Sequence, residues 1–284
     1  MNLIVQGHDI PTPCLKQLAK LTGAAAIEAV SLTAFRLVAA NDTRRGEVAA
    51  FCEVNMLDHG WVPIERRIGD FGLLVMDMDS TLITIECIDE IADMQGLKPQ
   101  VSAITEAAMR GEIDFAESLR RRVSLLAGLD QSALQRVYDE RLQLSPGAET
   151  LLAAARAAGI RTLLVSGGFT YFTERLKPRL GLDYTAANTL EVADGKLTGR
   201  VLGDIVDAQG KADWLNRVRA GLNMAREQVI AMGDGANDLK MMAEAGVSIA
   251  FRAKPVVRAQ ASYALNQVGL DGVIPLLGET GRNA

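Results

Sequence analysis

Hydrophobic positions along the chain fall in short runs whose spacing alternates between that of strands and that of helices. Before residue 70 they predict a strand at "NLIVQG", a helix at "PCLKQLAKLTG", a strand at "IEAVSLTAFRLVA", a helix at "RRGEVAAFCEVNMLDHG" and a short strand at "WVPIE". The charged, glycine-bearing linker "RRIGDFG" follows, so residues 1–70 are expected to form a small α/β domain and 71–284 the main one. There Leu73 to Met76 is apolar on both faces, as in a buried parallel strand, and stops abruptly at "DMDST". From Cys87 to about Gln143 only helical patterns appear, among them the amphipathic "SAITEAAMRGEI" and "FAESLRRRVSLLAGL". They interrupt the sheet and are expected to cap its ligand edge. Helix and strand then alternate through "PGAETLLAAARAAG", "IRTLLVSGG", "TYFTERLKPRLG", a β excursion at "LEVADGKLTGRVLG", "GKADWLNRVRAGL", "QVIAMGDG", "NDLKMMAEAG" and "VSIAF". That order predicts an α/β fold, a doubly wound parallel sheet with a helical cap inserted at about 87–143.

Composition narrows the chemistry. Thirty basic residues against 35 acidic ones, with no basic cluster beyond Arg120 to Arg122, argue against nucleic acid as a partner. No apolar run approaches the roughly 18 residues that span a bilayer, and "MNLIVQGHD" lacks the basic start of a signal peptide, so the expected location is the cytoplasm. Cys14, Cys52 and Cys87 have no metal-ligand spacing and read as reduced structural thiols. His8 and His59 both precede the first aspartate motif and offer little for a histidine triad or zinc site, which leaves acid–base work to carboxylates.

Asp77 and Asp79 stand where a strand ends, the edge at which open parallel sheets bind ligands. Asp79-Ser80-Thr81 could cap the next helix, but a cap needs one such residue rather than two aspartates. Ser166-Gly167-Gly168, Lys211 and "GDGAND" at 233–238 lie at other strand ends or helix starts. Carboxylates from Asp77 and Asp234 are hard oxygen ligands of the kind magnesium takes together with water and phosphate oxygens. A hydroxyl, glycine amides and a lysine suit a phosphate dianion. A carboxylate can attack phosphorus to give an aspartyl-phosphate while a second one moves protons.

The motifs "DMDST", "SGG", Lys211 and "GDGAND" resemble the four motifs of the haloacid dehalogenase superfamily of phosphohydrolases. Within it, "IECIDEIA", "AMRGEIDFAESLRRRVSLL", "VSGGFT", "ANTLEVADGKLTG", "GDIVDAQGKA" and "GDGANDLKMMAEAG" resemble the phosphoserine phosphatase family over roughly residues 72–276. This resemblance implies a Rossmann-like core and hydrolysis of O-phospho-L-serine to serine and phosphate, the last step of serine biosynthesis, with Mg2+ as cofactor. A phosphotransferase that passes the phosphoryl group to another alcohol such as homoserine is the nearest alternative. A signalling receiver is disfavoured by the second aspartate and the inserted cap.

The same resemblance implies residue roles. Asp77 matches the nucleophile, which also binds metal; Asp79 matches the general acid and base, with its carbonyl on the metal. Asp234 matches a further metal ligand, and Asp238 supports that site. Ser166, Gly167 and Lys211 match the phosphate clamp, and Asn237 a phosphate contact. Glu86 matches the carboxylate that receives the substrate ammonium, and Arg122 the guanidinium that grips its carboxylate. Met109 and Phe115 match apolar residues that shield the site. Taken alone, Asp234 and Asp238 are ordinary turn residues, Arg122 a solvated helix face and Glu86 a first-turn acid. Residues 1–70 resemble regulatory domains of the ACT type in architecture only, which implies an amino-acid ligand or a homodimer.

Overall fold

The computed structural model describes residues 1–278; residues 279–284, inside the expected main domain, lie outside the described residues. The chain opens with β1 (Asn2–Gln6), α1 (Thr12–Thr22), β2 (Ala26–Ala29), β3 (Ala34–Val38), α2 (Arg45–Val54) and β4 (Asp58–Val62). These strands form an antiparallel sheet ordered β2-β3-β1-β4, a split β-α-β arrangement. Leu3, Val5, Leu15, Leu18, Leu37, Val48, Cys52 and Trp61 make its core.

Two expectations are corrected here. The single strand predicted across "IEAVSLTAFRLVA" is a hairpin: the Ser31 hydroxyl accepts the Thr33 N–H at 3.2 Å, and the Ala34 carbonyl accepts the Val30 N–H at 2.9 Å. The helix predicted through Gly60 stops at Val54, where Asn55 Nδ2 donates to the Phe51 carbonyl at 2.8 Å and Met56 turns left-handed at φ 54°.

Then follow β5 (Leu73–Met76), α3 (Cys87–Asp93), α4 (Lys98–Met109), α5 (Phe115–Ser124), α6 (Ser132–Glu140), α7 (Ala148–Ala157), β6 (Arg161–Phe169), α8 (Thr170–Leu180), β7 (Tyr184–Ala193), β8 (Lys196–Leu202) and α9 (Ala208–Gly221). The chain continues through β9 (Val229–Gly233), α10 (Leu239–Ala243), β10 (Val247–Phe251), α11 (Pro255–Arg258) and β11 (Tyr263–Leu265). The second sheet has the order β11-β10-β9-β5-β6-β7-β8. It is a mixed, largely parallel sheet whose antiparallel part is the expected β excursion. β6 and β7 pair parallel, as do β9, β10 and β11, but β7 and β8 are an antiparallel hairpin. Asp194 and Gly195 close that hairpin with φ values of 50° and 75°, the positive pair that a two-residue turn of this hand requires.

By internal contacts the chain divides into two compact units. One joins Met1–Leu74, Pro146–Arg161 and the chain from Met224 on; it holds the antiparallel sheet and β9 to β11. The other, Val75–Ser145 with Thr162–Asn223, holds α3 to α6 and β6 to α9. The inserted helices α3 to α6 occupy the expected span; Leu119 and Val123 of α5 and Leu134 and Val137 of α6 are buried. All four side chains of β5 are buried, each contributing roughly 1.5–3 kcal/mol.

Candidate active site

Immediately after β5 the backbone makes a wide turn instead of entering a helix. The Asp77 carbonyl accepts the Leu82 N–H at 3.3 Å and the Met78 carbonyl accepts the Ile83 N–H at 3.0 Å, while Asp79 stays extended and Ser80 is left-handed at φ 55°. A serine held there costs on the order of 1–3 kcal/mol. Its hydroxyl donates to Glu86 Oε1 at 2.7 Å, so the strained residue orients a carboxylate. Asp77 is buried; its Oδ1 accepts the Met78 N–H at 2.7 Å and lies 2.8 Å from Lys211 Nζ. Lys211 is fixed in the first turn of α9, where the Asp207 carboxylate accepts the Gly210 N–H at 2.8 Å.

Ser166, Gly167 and Gly168 lie within β6, where the pairing with β7 shifts register between Val165 and Phe169. Ser166 is buried and its Oγ accepts the Gly168 N–H at 2.8 Å. Both glycines permit close approach. A Cβ at Gly168 would stand 2.8 Å from Asp79 Oδ2, and one at Gly167 would stand 2.8 Å from Phe115 Cζ. Phe115 thus lays its ring on the glycine strand end, held at the start of α5 by Asp114, whose Oδ1 accepts the Glu117 N–H at 2.8 Å.

Burial, and then the charge of Glu86, push the Asp79 carboxyl up to about 8, against the lowering effects of Cys87 and Lys211. Its Oδ1 is buried without a hydrogen-bond partner. Glu86 keeps one side open to solvent, yet the protein packed around it raises its pKa; the Ser80 hydroxyl and the Arg122 charge oppose that rise. Burial lowers the pKa of Arg122, while Asp89, Glu86 and Asp79 act to raise it. The cap therefore brings one guanidinium and a set of carboxylates into mutual electrostatic reach. Met109 ends α4, and its side chain lies outside the described residues.

In the other unit, β9 ends at Gly233 and residues 236–238 form a tight turn before α10, so the predicted helix at "NDLKMMAEAG" starts late. Asp238 has no exposed surface, and its Oδ2 accepts the Gly235 N–H at 3.0 Å. A Cβ on Gly233 would meet Asp238 Cγ at 2.3 Å, and one on Gly235 would meet Asn237 Oδ1 at 2.1 Å, so both glycines of "GDG" make room for side chains of the same loop. Asp234 is half-buried and its carbonyl accepts the Lys254 N–H at 3.2 Å. Met241 and Met242 are core residues.

Sequence reasoning missed Asn188, a fully buried side chain of β7 bonded to the Gly167 carbonyl. The available signal was an amide at an inward strand position, within "ANTLEVADG".

Residues 74–243 match the haloacid dehalogenase-like hydrolase family, and residues 3–48 match a domain of unknown function. A phosphoserine phosphatase of Polaromonas sp. is 54% identical over 218 residues, 75% of this chain and 92% of its own. Among solved structures, a haloacid dehalogenase family hydrolase of Salmonella enterica serovar Typhi superposes with a TM-score of 0.88 at 34% identity, covering 97% of each chain. A probable phosphoserine phosphatase of Vibrio cholerae superposes with a TM-score of 0.85 at 40% identity, covering 97% of this chain and 86% of its own.

Proposed function

The chain belongs to the haloacid dehalogenase-like hydrolases, and from that premise we propose that it is a phosphatase that hydrolyses O-phospho-L-serine to serine and phosphate. The observation that carries the reading is the long identity with phosphoserine phosphatases, joined to a buried carboxylate–lysine pair beside a capped cluster of opposite charges. These relatives favour hydrolysis over transfer to another alcohol.

In this reading Asp77 attacks phosphorus and carries the phosphoryl group as an aspartyl-phosphate. Asp79, protonated in its buried setting, gives its proton to the departing serine oxygen and then takes one from the attacking water. The Ser166 hydroxyl, the Gly167 amide and the Lys211 ammonium hold the phosphoryl oxygens. Arg122 receives the substrate carboxylate and Glu86 its ammonium; Phe115 and Met109 exclude water when the cap is shut. Asn237 adds a phosphate contact.

A divalent ion, Mg2+ in our reading, supplies charge neutralisation for the attack of one anion on another. Asp77, the Asp79 carbonyl and Asp234 would hold it, with Asp238 in support. The donor chemistry fits: Asp77, Asp234 and Asp238 are all hard carboxylates.

The boundary near residue 70 is supported by the separate core of the antiparallel sheet and by family matches at 3–48 and 74–243, on either side of it. We keep as proposals for residues 1–70 an amino-acid ligand and a homodimer, tested by serine titration and light scattering of the full chain. No helix of the described residues is long and apolar enough to cross a membrane; partners are proposed to be small phosphorylated amino acids in the cytoplasm.

The deciding experiment follows phosphate release from O-phospho-L-serine, O-phosphothreonine and p-nitrophenyl phosphate, with Mg2+ and with chelator. Preference for phosphoserine, lost with chelator and in Asp77→Asn, is expected. Turnover of the nitrophenyl ester alone would retain the phosphatase and remove the substrate.

A further inference from the structure

We propose that Asn188 is a positioning residue of the phosphate clamp, a role that rests on the reading of Ser166, Gly167 and Lys211 as that clamp. Asn188 has no exposed surface; its Nδ2–H donates to the Gly167 carbonyl at 2.8 Å and its Oδ1 accepts the Val206 N–H at 2.8 Å. The partners decide which end of the amide is which, since a carbonyl needs the NH2 and an N–H needs the oxygen. A buried amide is tolerated in a strand when its hydrogen bonds are made, and here both go to backbone on either side of the clamp.

The first arm fixes one peptide plane. The peptide that joins Gly167 to Gly168 has its oxygen held by Asn188 and its N–H held by Ser166 Oγ at 2.8 Å. A hydroxyl that accepts in that direction keeps its own hydrogen to donate in another. Asn188 thereby sets the Ser166 hydroxyl as a donor toward a phosphoryl oxygen, without touching substrate itself. The second arm ends at Val206, the neighbour of Asp207, whose carboxylate caps the helix that carries Lys211. One side chain thus holds the spacing between the hydroxyl–amide half of the clamp and its cationic half.

Asn188→Asp keeps the size and the acceptor for Val206 but sets an oxygen against the Gly167 carbonyl. We expect kcat/KM for O-phospho-L-serine to fall ~50-fold and the inhibition constant of inorganic phosphate to rise ~10-fold, as for a lost and reversed buried hydrogen bond. Thr162→Val is the control for stability alone. It removes the Thr162 hydroxyl bond to Asp183 Oδ2, 3.1 Å, from the same strand β6, and is expected to lower the melting temperature while moving neither constant. In a Ser166→Ala background, Asn188→Asp should cost less than ~3-fold more, because residues that act through one another are not additive. Additive losses, or a folded Asn188→Asp protein with both constants within ~3-fold of the unaltered one, would overturn the proposal. If that variant does not fold, Asn188→Ser is judged by the same criteria, and failure of both to fold assigns Asn188 to stability alone and overturns it as well. Should the unaltered protein release no phosphate from phosphoserine, the substrate reading fails, and calorimetric binding of inorganic phosphate still decides the role of Asn188.

Discussion

Lys211 Nζ stands 2.8 Å from Asp77 Oδ1, with both side chains almost wholly removed from solvent. Such a pair is weak evidence for stability, because the desolvation of two charges offsets their attraction. Its place at the end of β5, on a carboxylate proposed to attack an anion, gives it a chemical reason instead.

Lys211→Met is accordingly expected to lose about 3–5 kcal/mol of stability, since it leaves a buried carboxylate without the lysine opposite. Turnover should fall at least ~100-fold with the loss of the cation from the proposed clamp. The double variant Asp77→Asn, Lys211→Met, which carries no charge at either position, should regain much of that stability and remain inactive. Urea unfolding beside phosphate release tests both statements; a double variant no more stable than Lys211→Met would refute the first.

Gly168→Ala probes the approach of β6 to the acid. The new Cβ would lie 2.8 Å from Asp79 Oδ2 and 3.0 Å from Ser166 Oγ, so Asp79 must shift. A displacement of about 1 Å at a reacting group costs ~100-fold in rate, and kcat should fall by that order. Full activity in the alanine variant would show that Asp79 acts from another position.

Much of the candidate site was legible in the sequence because its residues interrupt apolar runs. Asp77 follows four buried positions of β5, and Ser166-Gly167-Gly168 ends a run of the same kind in β6. What stayed hidden depends on partners distant in sequence or on turns without glycine or proline. The hairpin at Ser31 to Thr33 is closed by a serine hydroxyl, a weak signal. Asp58 reads as the end of a helix, yet it begins β4, because its carboxylate accepts the backbone N–H groups of Asn266, Gln267 and Val268, some 200 residues on, at 2.8 to 3.1 Å. Asn188 was hidden for the same reason: its value lies in Gly167 and Val206.

The pH dependence follows from Asp79. Burial, and then Glu86, raise its pKa to about 8, so below that pH the folded protein holds the proton that the proposed mechanism gives to the leaving oxygen. kcat/KM should therefore decline above about pH 8, and stability has the same sign. The folded state binds this proton more tightly than the unfolded chain, so the contribution is present in full below the ordinary aspartate range and is lost as pH rises toward 8. In chelator, Asp79→Asn should melt higher than the unaltered protein at pH 8, with a smaller difference at pH 5. Parallel melting curves for the two proteins between those pH values would contradict a raised pKa.

The roles proposed for Arg122 and Glu86 would separate recognition of the amino acid from the chemistry on phosphorus. Both sit in the cap segment, Glu86 opening α3 and Arg122 in the last turn of α5, and each lowers the cost of the other's charge where burial opposes ionisation. A guanidinium that grips a carboxylate through two parallel bonds is not replaced by lysine, whose ammonium is a point charge. Arg122→Lys should raise KM for O-phospho-L-serine ~10-fold and Arg122→Ala ~100-fold, as expected for a charge-assisted pair lost in part or in full. Neither should change turnover of p-nitrophenyl phosphate, which has no carboxylate, by more than ~3-fold, a uniform-binding effect confined to one substrate. Glu86→Gln should repeat the pattern through the ammonium and, by removing a neighbouring negative charge, bring the decline set by Asp79 to lower pH. Equal losses on both substrates would place Arg122 and Glu86 in the support of the fold, and recognition of serine would then have to come from other residues of the cap.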